Sequence, residues 1–451
     1  MTQLATIILA AGRGTRMHSA LHKVLHPIAG RPMILHLMDR AAVLSPQRTV
    51  LIVGDGAQQV RDVLGKEVEY AVQDRQLGTG HAVSQARDML RDFSGDVLVL
   101  YGDVPFVRAD TLTRLRKRLH APDQPAVAVL GFRPADTRGY GRIIADGAGH
   151  IEQMVEHKDA DDAQRACTLC NSGVLAARAT DLFALLDRIG NDNAQGEYYL
   201  TDIVNLATSD GRACAVVETA DAAEVAGIND RAELARAEAQ WQETSRQEAM
   251  AAGVTMRACE TVFLSWDTRF GRDVTIEPHV VFGPGVHIAD NVTIRAFSHI
   301  EGARIESGVE VGPFARLRPG SVLEEGSRLG NFVEMKQAVL GKGAKANHLS
   351  YLGDAHIGAN ANIGAGTITC NYDGYFKHRT TIGERAFIGS NSALVAPLTI
   401  GADAIVAAGS TVSRDVADGE LRMVRADQLI KPGWADRFHD LMRKKKQARN
   451  K

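Results

Sequence analysis

The sequence predicts an α/β domain built on a mostly parallel sheet, followed by a parallel β-helix of hexapeptide repeats. Three observations carry that prediction. The chain has 451 residues, enough for roughly three domains' worth of sequence. Up to about residue 228, short apolar runs alternate with helical patterns, the signature of a parallel sheet covered on both faces. Beyond residue 274 an apolar residue recurs every sixth position, which is the period of neither a helix nor a strand.

In the first half the predicted strands are Ala5–Leu9, Val50–Val53, Val68–Val72, Val97–Leu100 and Ala126–Leu130. Helical spacing falls between them at Met33–Leu44 and His81–Leu90. The opening run from Leu4 to Gly12 lacks a basic segment in front, and Arg13 and Arg16 follow directly, so it reads as a buried first strand and not a signal peptide. In such folds ligands bind beyond the carboxyl ends of the strands. Asp230–Met250 is rich in Ala, Glu, Gln and Arg without Gly or Pro, and Gly253 follows it; this predicts a connecting helix.

The hexad register then runs Ile276, Phe282, Ile288, Ile294, Ile300, slips by one, and resumes at Ile305, Val311, Leu317, Leu323, Leu329 and Met335. Further slips lead to Leu340, Ala346 and Leu352, then Ile357 and Ile363. After an interruption it continues through Ile382, Ile388, Leu394, Ile400, Val406 and Val412. With 45% apolar residues overall, an unbroken run of that kind has a chance probability on the order of 10⁻⁸ before the slips are counted. Gly follows ten of these 22 positions, as tight corners require. The register predicts a solenoid with three short faces per coil and about seven coils over 274–412, stacked about 4.8 Å apart. Cys370–Thr381 becomes an extruded loop of about twelve extra residues. The basic end, Arg443 to Lys451, reads as a solvated, partly disordered tail. The expected domains are thus 1–228, a linker helix at 229–250, the solenoid at 251–425 and a tail at 426–451.

Composition narrows the function. Lys plus Arg number 52 and Asp plus Glu 54, a net charge of −2, which excludes a dedicated nucleic-acid binder. No apolar run is long enough to span a bilayer, and five cysteines make no disulfide framework. Cys167-Thr-Leu-Cys170 lacks the second pair that a structural zinc would need. These features predict a reduced, cytoplasmic enzyme without membrane insertion.

Chemistry gathers at three places. Leu9-Ala-Ala-Gly-Arg-Gly-Thr-Arg-Met17 follows the first strand, with Lys23 beyond. Gly12 and Gly14 allow close backbone approach and Arg13, Arg16 and Lys23 add positive charge, which suits phosphate. Met17 breaks the dinucleotide fingerprint, and no Gly-Lys-Ser/Thr completes a P-loop. Tyr101-Gly102-Asp103 ends a strand, where a carboxylate suits a metal bound to phosphates. In the solenoid Arg318 and Lys336 are 18 apart without a slip. They should stack on one corner with Arg295 on another face, and paired cations about 5 Å apart call for an anion between them or for splayed side chains. His348 lies two faces further on, a candidate general base beside Tyr351 and the loop.

Leu9–Met17 with Lys23, Gln76-Leu-Gly-Thr-Gly-His81 and Tyr101-Gly-Asp103 resemble the sugar-phosphate nucleotidylyltransferases. Gly139-Tyr-Gly-Arg142, Val155-Glu-His-Lys158, Asn191–Thr201 and Gly227-Ile-Asn229 extend the match. With the hexads attached, residues 4–425 resemble the bacterial bifunctional N-acetylglucosamine-1-phosphate uridylyltransferases/glucosamine-1-phosphate N-acetyltransferases. The resemblance implies a Rossmann-like nucleotidylyltransferase domain and a left-handed β-helix. It further implies that Leu9, Ala10, Ala11, Gly12, Lys23, Gln73, Gly78 and Thr79 hold UTP, with Tyr101 and Gly102 beside them and Arg16 balancing triphosphate charge. Asp103 and Asn229 would bind Mg²⁺, and Gly141, Glu156 and Asn171 would contact N-acetylglucosamine-1-phosphate.

For the solenoid, the resemblance makes His348 the base that deprotonates the sugar amine. Arg318, Lys336, Tyr351, Asn362 and Asn371 would hold glucosamine-1-phosphate. Ala365, Asn371, Tyr372, Ser390, Ala408 and Arg425 would contact the co-substrate acetyl-CoA. A homotrimer with acetyl-transfer sites where subunits meet is implied too, as is a product, UDP-N-acetylglucosamine, that feeds peptidoglycan and lipopolysaccharide. Tyr375-Phe-Lys-His-Arg379 departs from the family by its aromatic content, which bears on Lys377. Cys170, next to Asn171, would let a thiol reagent perturb the sugar site. Two rivals stand beside this reading: a monofunctional nucleotidylyltransferase with a scaffold-only solenoid, and a binding scaffold with degenerate sites.

Overall fold

The computed structural model describes residues 3–449, and its chain divides into two compact units, 1–244 and 245–451. In the first unit β1 (Leu4–Ala10), β2 (Arg48–Val53), β3 (Glu69–Val72) and β4 (Asp96–Tyr101) are parallel neighbours. β5 (Val127–Phe132) and β9 (Cys214–Thr219) form a second parallel pair. Between the two groups lies β8 (Cys170–Arg178), antiparallel to both, so the order is β9-β5-β8-β4-β1-β2-β3. A ribbon of β6 (Arg142–Ala145) and β7 (Ile151–Val155) hangs from β8.

Every residue of β2 from Val50 to Val53 and of β4 from Val97 to Leu100 is fully buried. Two apolar clusters account for this, one on each face of the sheet. Helices α1 (Met33–Ala42), α2 (Ala57–Leu64), α3 (Thr79–Ser84) and α4 (Ala109–Arg118) connect the parallel strands. The helical pattern at His81–Leu90 is interrupted: α3 ends at Ser84 and a 3₁₀ turn takes Asp88–Leu90. α5 (Asp162–Ala166) starts from a capping box of Asp161 and Gln164. α6 (Ala179–Leu186) and α7 (Asp202–Ser209) precede β9.

The long α8 (Arg231–Ala251) contains the boundary between the units. The second unit is a triangular stack of three parallel sheets, of ten, eight and eight short strands. Partners are 18 apart in regular coils, as for Thr275 and Thr293, and 17 apart where the hexads slip, as for Thr293 and Glu310. Between Ile276 and Val412 the inward residue of each two-residue strand is an expected apolar slot, and Ile276, Ile294, Val311, Leu317, Met335 and Leu340 are fully buried. Leu317→Ala is expected to cost about 2–5 kcal/mol, read by denaturant unfolding of the whole chain; a loss well under that range would mean the coil collapses onto the cavity.

The solenoid is longer than the periodicity indicated. Thr255–Met256 and Arg269–Phe270 belong to an earlier coil, and Leu421–Arg422 adds a strand beyond Val412. The insertion is also smaller than expected. Asn362 pairs with Phe387, 25 positions on in place of 18, so seven residues are added. The miscount came from Thr369, which fills an inward slot opposite Leu394 and is buried. Its hydroxyl bonds Gly353 O at 3.0 Å and the Gly353 amide at 2.8 Å, so a polar residue satisfies a position that a hydropathy count passes over. At the end of the chain, where a partly disordered tail was expected, Trp434–Arg449 form α9, all of it exposed. After Pro432-Gly433 this stretch has no Gly or Pro, so helix propensity favours order there. The last two residues of the expected tail, 450–451, lie outside the described residues.

Candidate active sites of the two units

At the carboxyl end of β1 the chain turns through Gly14, whose φ is +64°. A Cβ there would stand 2.6 Å from Lys23 Cβ, so glycine is what lets Lys23 pack back against the loop. The Lys23 ammonium forms an ion pair with Asp103 and donates to Asn229 Oδ1 at 2.8 Å. The Ile228 amide donates to Asp103 O at 2.9 Å, tying Gly227-Ile-Asn229 to the end of β4. Carboxylate and amide oxygens therefore converge on one cationic point. Two hard oxygens sharing a cation fit the donor set of Mg²⁺.

Two clefts open beside this point. One, of about 270 Å³, is lined by Leu9, Ala10, Ala11, Gly12, Lys23, Gln73, Gly78, Thr79, Tyr101 and Asp103. The other, of about 220 Å³, is lined by Gly141, Glu156 and Asn171. Thr79 and Tyr101 line both, so a ligand in each would meet across them. Gly102 lies behind, its amide donating to Leu9 O at 2.9 Å. Arg16 is exposed on the Thr15–Met17 turn and lines neither cleft.

The Asn171–Leu175 bulge in β8 shapes the second cleft. Gly173 has φ +87°, and a Cβ on it would enter the Tyr101 ring at 2.6 Å, so the bulge and Tyr101 lock together. Burial, with Glu156 and Asp103 nearby, pushes the Tyr101 phenol far above its usual range. Glu156 accepts from Thr201 Oγ1 at 3.1 Å. Several contacts were absent from the sequence reading. Gln76 donates to Ala11 O at 2.7 Å, Tyr140 lines the second cleft, and Glu197 lines the first. All three stood inside stretches that carried the resemblance, but none was singled out as a contact. Cys170 is buried, and burial raises its thiol, both of which work against attack by thiol reagents.

Burial likewise raises the Glu156 carboxyl. The folded protein therefore holds that proton more tightly than the unfolded chain does. The stability it contributes is complete below the unfolded value of about 4.3 and is lost as pH rises through the higher folded value. Glu156→Gln is expected to melt higher than the parent by a margin that widens from about pH 4 to about pH 8, while sugar-phosphate affinity falls. A margin that is flat with pH would contradict it.

In the solenoid Arg318 and Lys336 do lie on neighbouring coils at one corner, because Leu317 pairs with Met335. Arg295 is on another face, bonded to Glu310 at 2.5 Å. Arg318 bonds Glu334 Oε1 at 3.0 Å. Lys377 of the inserted loop comes beside Lys336 and lowers its pKa, with Arg318 adding to the effect. That corner concentrates three cations. Asn371 donates to Asp354 and the His378 amide to Asn371 O at 2.8 Å. Within the loop Asp373 accepts from the Tyr375 and Phe376 amides and from His378. Tyr351 lies on the face between the corners, its hydroxyl beside Gly353.

His348 sits at a different corner, at the end of the strand Lys345–His348. It is exposed, and its Nδ1 is 2.9 Å from Asn331 Oδ1. An amide oxygen only accepts, so Nδ1 carries the proton and the Nε2 lone pair faces outward, the form a general base needs. Asn331 was absent from the sequence reading; its place 17 before His348 is the only signal of it. The same corner continues through Ala365, Ser390 and Ala408. The Gly366 amide donates to His348 O at 3.4 Å, that of Asn391 to Ala365 O at 2.7 Å, and that of Gly409 to Ser390 O at 2.8 Å. A single column thus runs from the base along four coils. Arg425 Cδ is 3.7 Å from where a Cβ on Gly409 would stand. Asn362 begins the strand that pairs with Lys345–His348 one coil further on, and Tyr372 bridges to Lys377.

Residues 6–170 match the model of the MobA-like NTP transferase domain, and 267–302 and 379–414 match that of the bacterial transferase hexapeptide (six repeats). Fold and sites together define a two-domain transferase, a nucleotidyltransferase joined to a hexapeptide-repeat transferase. The chain is 69% identical over 448 residues to bifunctional protein GlmU of Sphingopyxis alaskensis, covering 99% of each chain. It is 70% identical to that of Novosphingobium aromaticivorans and 56% to that of Zymomonas mobilis, each over 98% of both chains. It belongs to the bifunctional GlmU family and is an enzyme of two activities, uridylyl transfer and acetyl transfer. The scaffold-only reading of the solenoid gives way to this. No helix among the described residues is long and apolar enough to cross a membrane.

Proposed function

We propose that the solenoid acetylates glucosamine-1-phosphate with acetyl-CoA, and that the first domain then transfers UMP from UTP to the resulting N-acetylglucosamine-1-phosphate, releasing pyrophosphate. The pair of clefts joined at Thr79 and Tyr101 carries the second step: a nucleotide in one and a sugar phosphate in the other bring an attacking oxygen to the α-phosphorus. Gln73 and Gly78 face the uracil, Lys23 and Arg16 stabilise charge on the phosphates, and Gly141, Glu156 and Asn171 orient the sugar. Asp103 and Asn229 hold Mg²⁺, which supplies charge neutralisation at the triphosphate.

For the acetyl step His348 Nε2 takes the proton from the sugar amine as the nitrogen attacks the thioester carbonyl; the C–S bond then breaks and CoA leaves as its thiol with that proton. Acetyl-CoA lies along the column Ala365–Ser390–Ala408, with Tyr372 and Arg425 at its sides. Arg318, Lys336 and Lys377 neutralise the phosphate, while Tyr351, Asn362 and Asn371 orient the sugar. In one chain the base and the cations occupy different corners. A homotrimer, in which one subunit's corner meets another's, supplies both to one substrate.

The test is mass spectrometry of one reaction holding purified protein, glucosamine-1-phosphate, UTP and Mg²⁺. UDP-N-acetylglucosamine should appear with acetyl-CoA and not without it. If none appeared while supplied N-acetylglucosamine-1-phosphate was still uridylylated, the proposed acetyl step would be wrong.

A further inference from the structure

Arg142 is the largest side chain buried completely in the protein, at 1% exposure. Its guanidinium touches no carboxylate among the described residues. It donates to Tyr140 O and, at 3.5 Å, to Arg165 O, while its Nε has no partner. An arginine buried without an acid is costly, since carbonyl oxygens return only part of the lost hydration. A fold needing only packing here would be served by an apolar residue.

The surroundings say where that charge acts. Arg142 follows Gly141, which lines the sugar cleft and whose carbonyl accepts from the Asn171 amide at 2.9 Å. The residue it grips, Tyr140, lines the same cleft and sets its ring edge-on to Phe132 at 4.9 Å. Arg165 O belongs to the last turn of α5, where a cation also meets the negative end of the helix. One guanidinium thus ties the Tyr140–Gly141 segment, β6 and α5 into one wall. A sugar phosphate carries nearly two negative charges at neutral pH, and an unneutralised cation behind that wall attracts them with little screening.

We infer that Arg142 is a positioning residue for the uridylyl reaction: its buried guanidinium fixes the Tyr140–Gly141 wall and supplies the uncompensated positive charge that favours the sugar phosphate over neutral sugars. This rests on the reading of the second cleft as the sugar-phosphate site.

Steady-state kinetics of the full-length enzyme test it, comparing Arg142→Met, Arg142→Lys and, as a reference for the cleft, Asn171→Ala. Arg142→Met should raise KM for N-acetylglucosamine-1-phosphate about tenfold or more and leave KM for UTP within about twofold. Arg142→Lys, which keeps the charge but cannot grip both carbonyls, should recover part of the loss. Acetyl transfer by the same preparations reports that the chain is intact. Equal rises in both KM values, or a lysine variant no better than methionine, would overturn the inference and leave Arg142 a packing residue. Should Arg142→Met not fold, Arg142→Lys decides alone: a rise confined to the sugar phosphate supports the role, and none overturns it. If Asn171→Ala leaves the sugar-phosphate KM unchanged, the cleft reading itself has failed. If Asn171→Ala raises it and Arg142→Met does not, only the role of Arg142 has.

Discussion

His348→Ala loses acetyl transfer by about 10²–10⁴-fold, the range a general base contributes, and keeps uridylyl transfer at the parent rate. The selectivity follows from placement. The residue lies in the solenoid unit and is exposed; its ring bonds Asn331, while Ser350 and Gly366 bond its backbone carbonyl. Truncating it leaves no cavity, so stability should move by no more than about 0.5 kcal/mol. Asn331→Leu should act in the same direction more weakly, because the ring stays but the bond that keeps the proton on Nδ1 is gone. Thiol release from acetyl-CoA and pyrophosphate release from UTP, measured on the same preparations, separate the two activities. If both rates fell together, or acetyl transfer survived within severalfold, His348 would not be the base.

How much of this could be read from the chain differs between its halves, for physical reasons. A solenoid repeats one local event, an apolar residue turned inward every sixth position, so hydropathy alone marked Ile276 through Val412 and put Arg318 above Lys336. It failed where an inward position satisfied a hydroxyl, at Thr369, and at the ends, where the buried Leu264 and Val416 have few neighbours in register to reveal them. In the first unit β1 to β5 were legible as continuous apolar runs, whereas the parallel β9, Cys214–Thr219, was not singled out. β8 was not legible either, because Asn171, Ser172 and Gly173 break its pattern at the bulge that shapes the second cleft. Phosphate-loop and metal residues announce themselves by type and local spacing. Asn331 and Asp354 do not, and Tyr140 and Arg142 stood in a matched stretch without a role, since each matters only through a partner that folding delivers. Lys377 shows the mixed case: its loop looked unusual, and only the structure sets its ammonium beside Lys336.

Asp103→Asn should cut uridylyl transfer by about 10²-fold or more and leave acetyl transfer in place. The substitution keeps the shape of the side chain and removes its charge, at a point where Lys23 and Asp103 are only 11% and 21% exposed. Two consequences must be told apart. The Lys23 ammonium loses its counter-ion in a half-dry site, and breaking a buried pair from one side costs about 3–5 kcal/mol. Lost rate could then reflect a loosened domain. Lys23→Met with Asp103→Asn resolves this, because removing both charges relieves the stranded ammonium and should return most of the stability. Activity should not return with it on the proposed mechanism, in which the double variant lacks both the carboxylate assigned to the metal and the cation assigned to the phosphates. The single variant should also need more Mg²⁺ to reach its own maximum. Thermal melting and pyrophosphate release across a Mg²⁺ series read both effects. Recovery of rate together with stability in the double variant would show that Asp103 serves the fold and not the reaction.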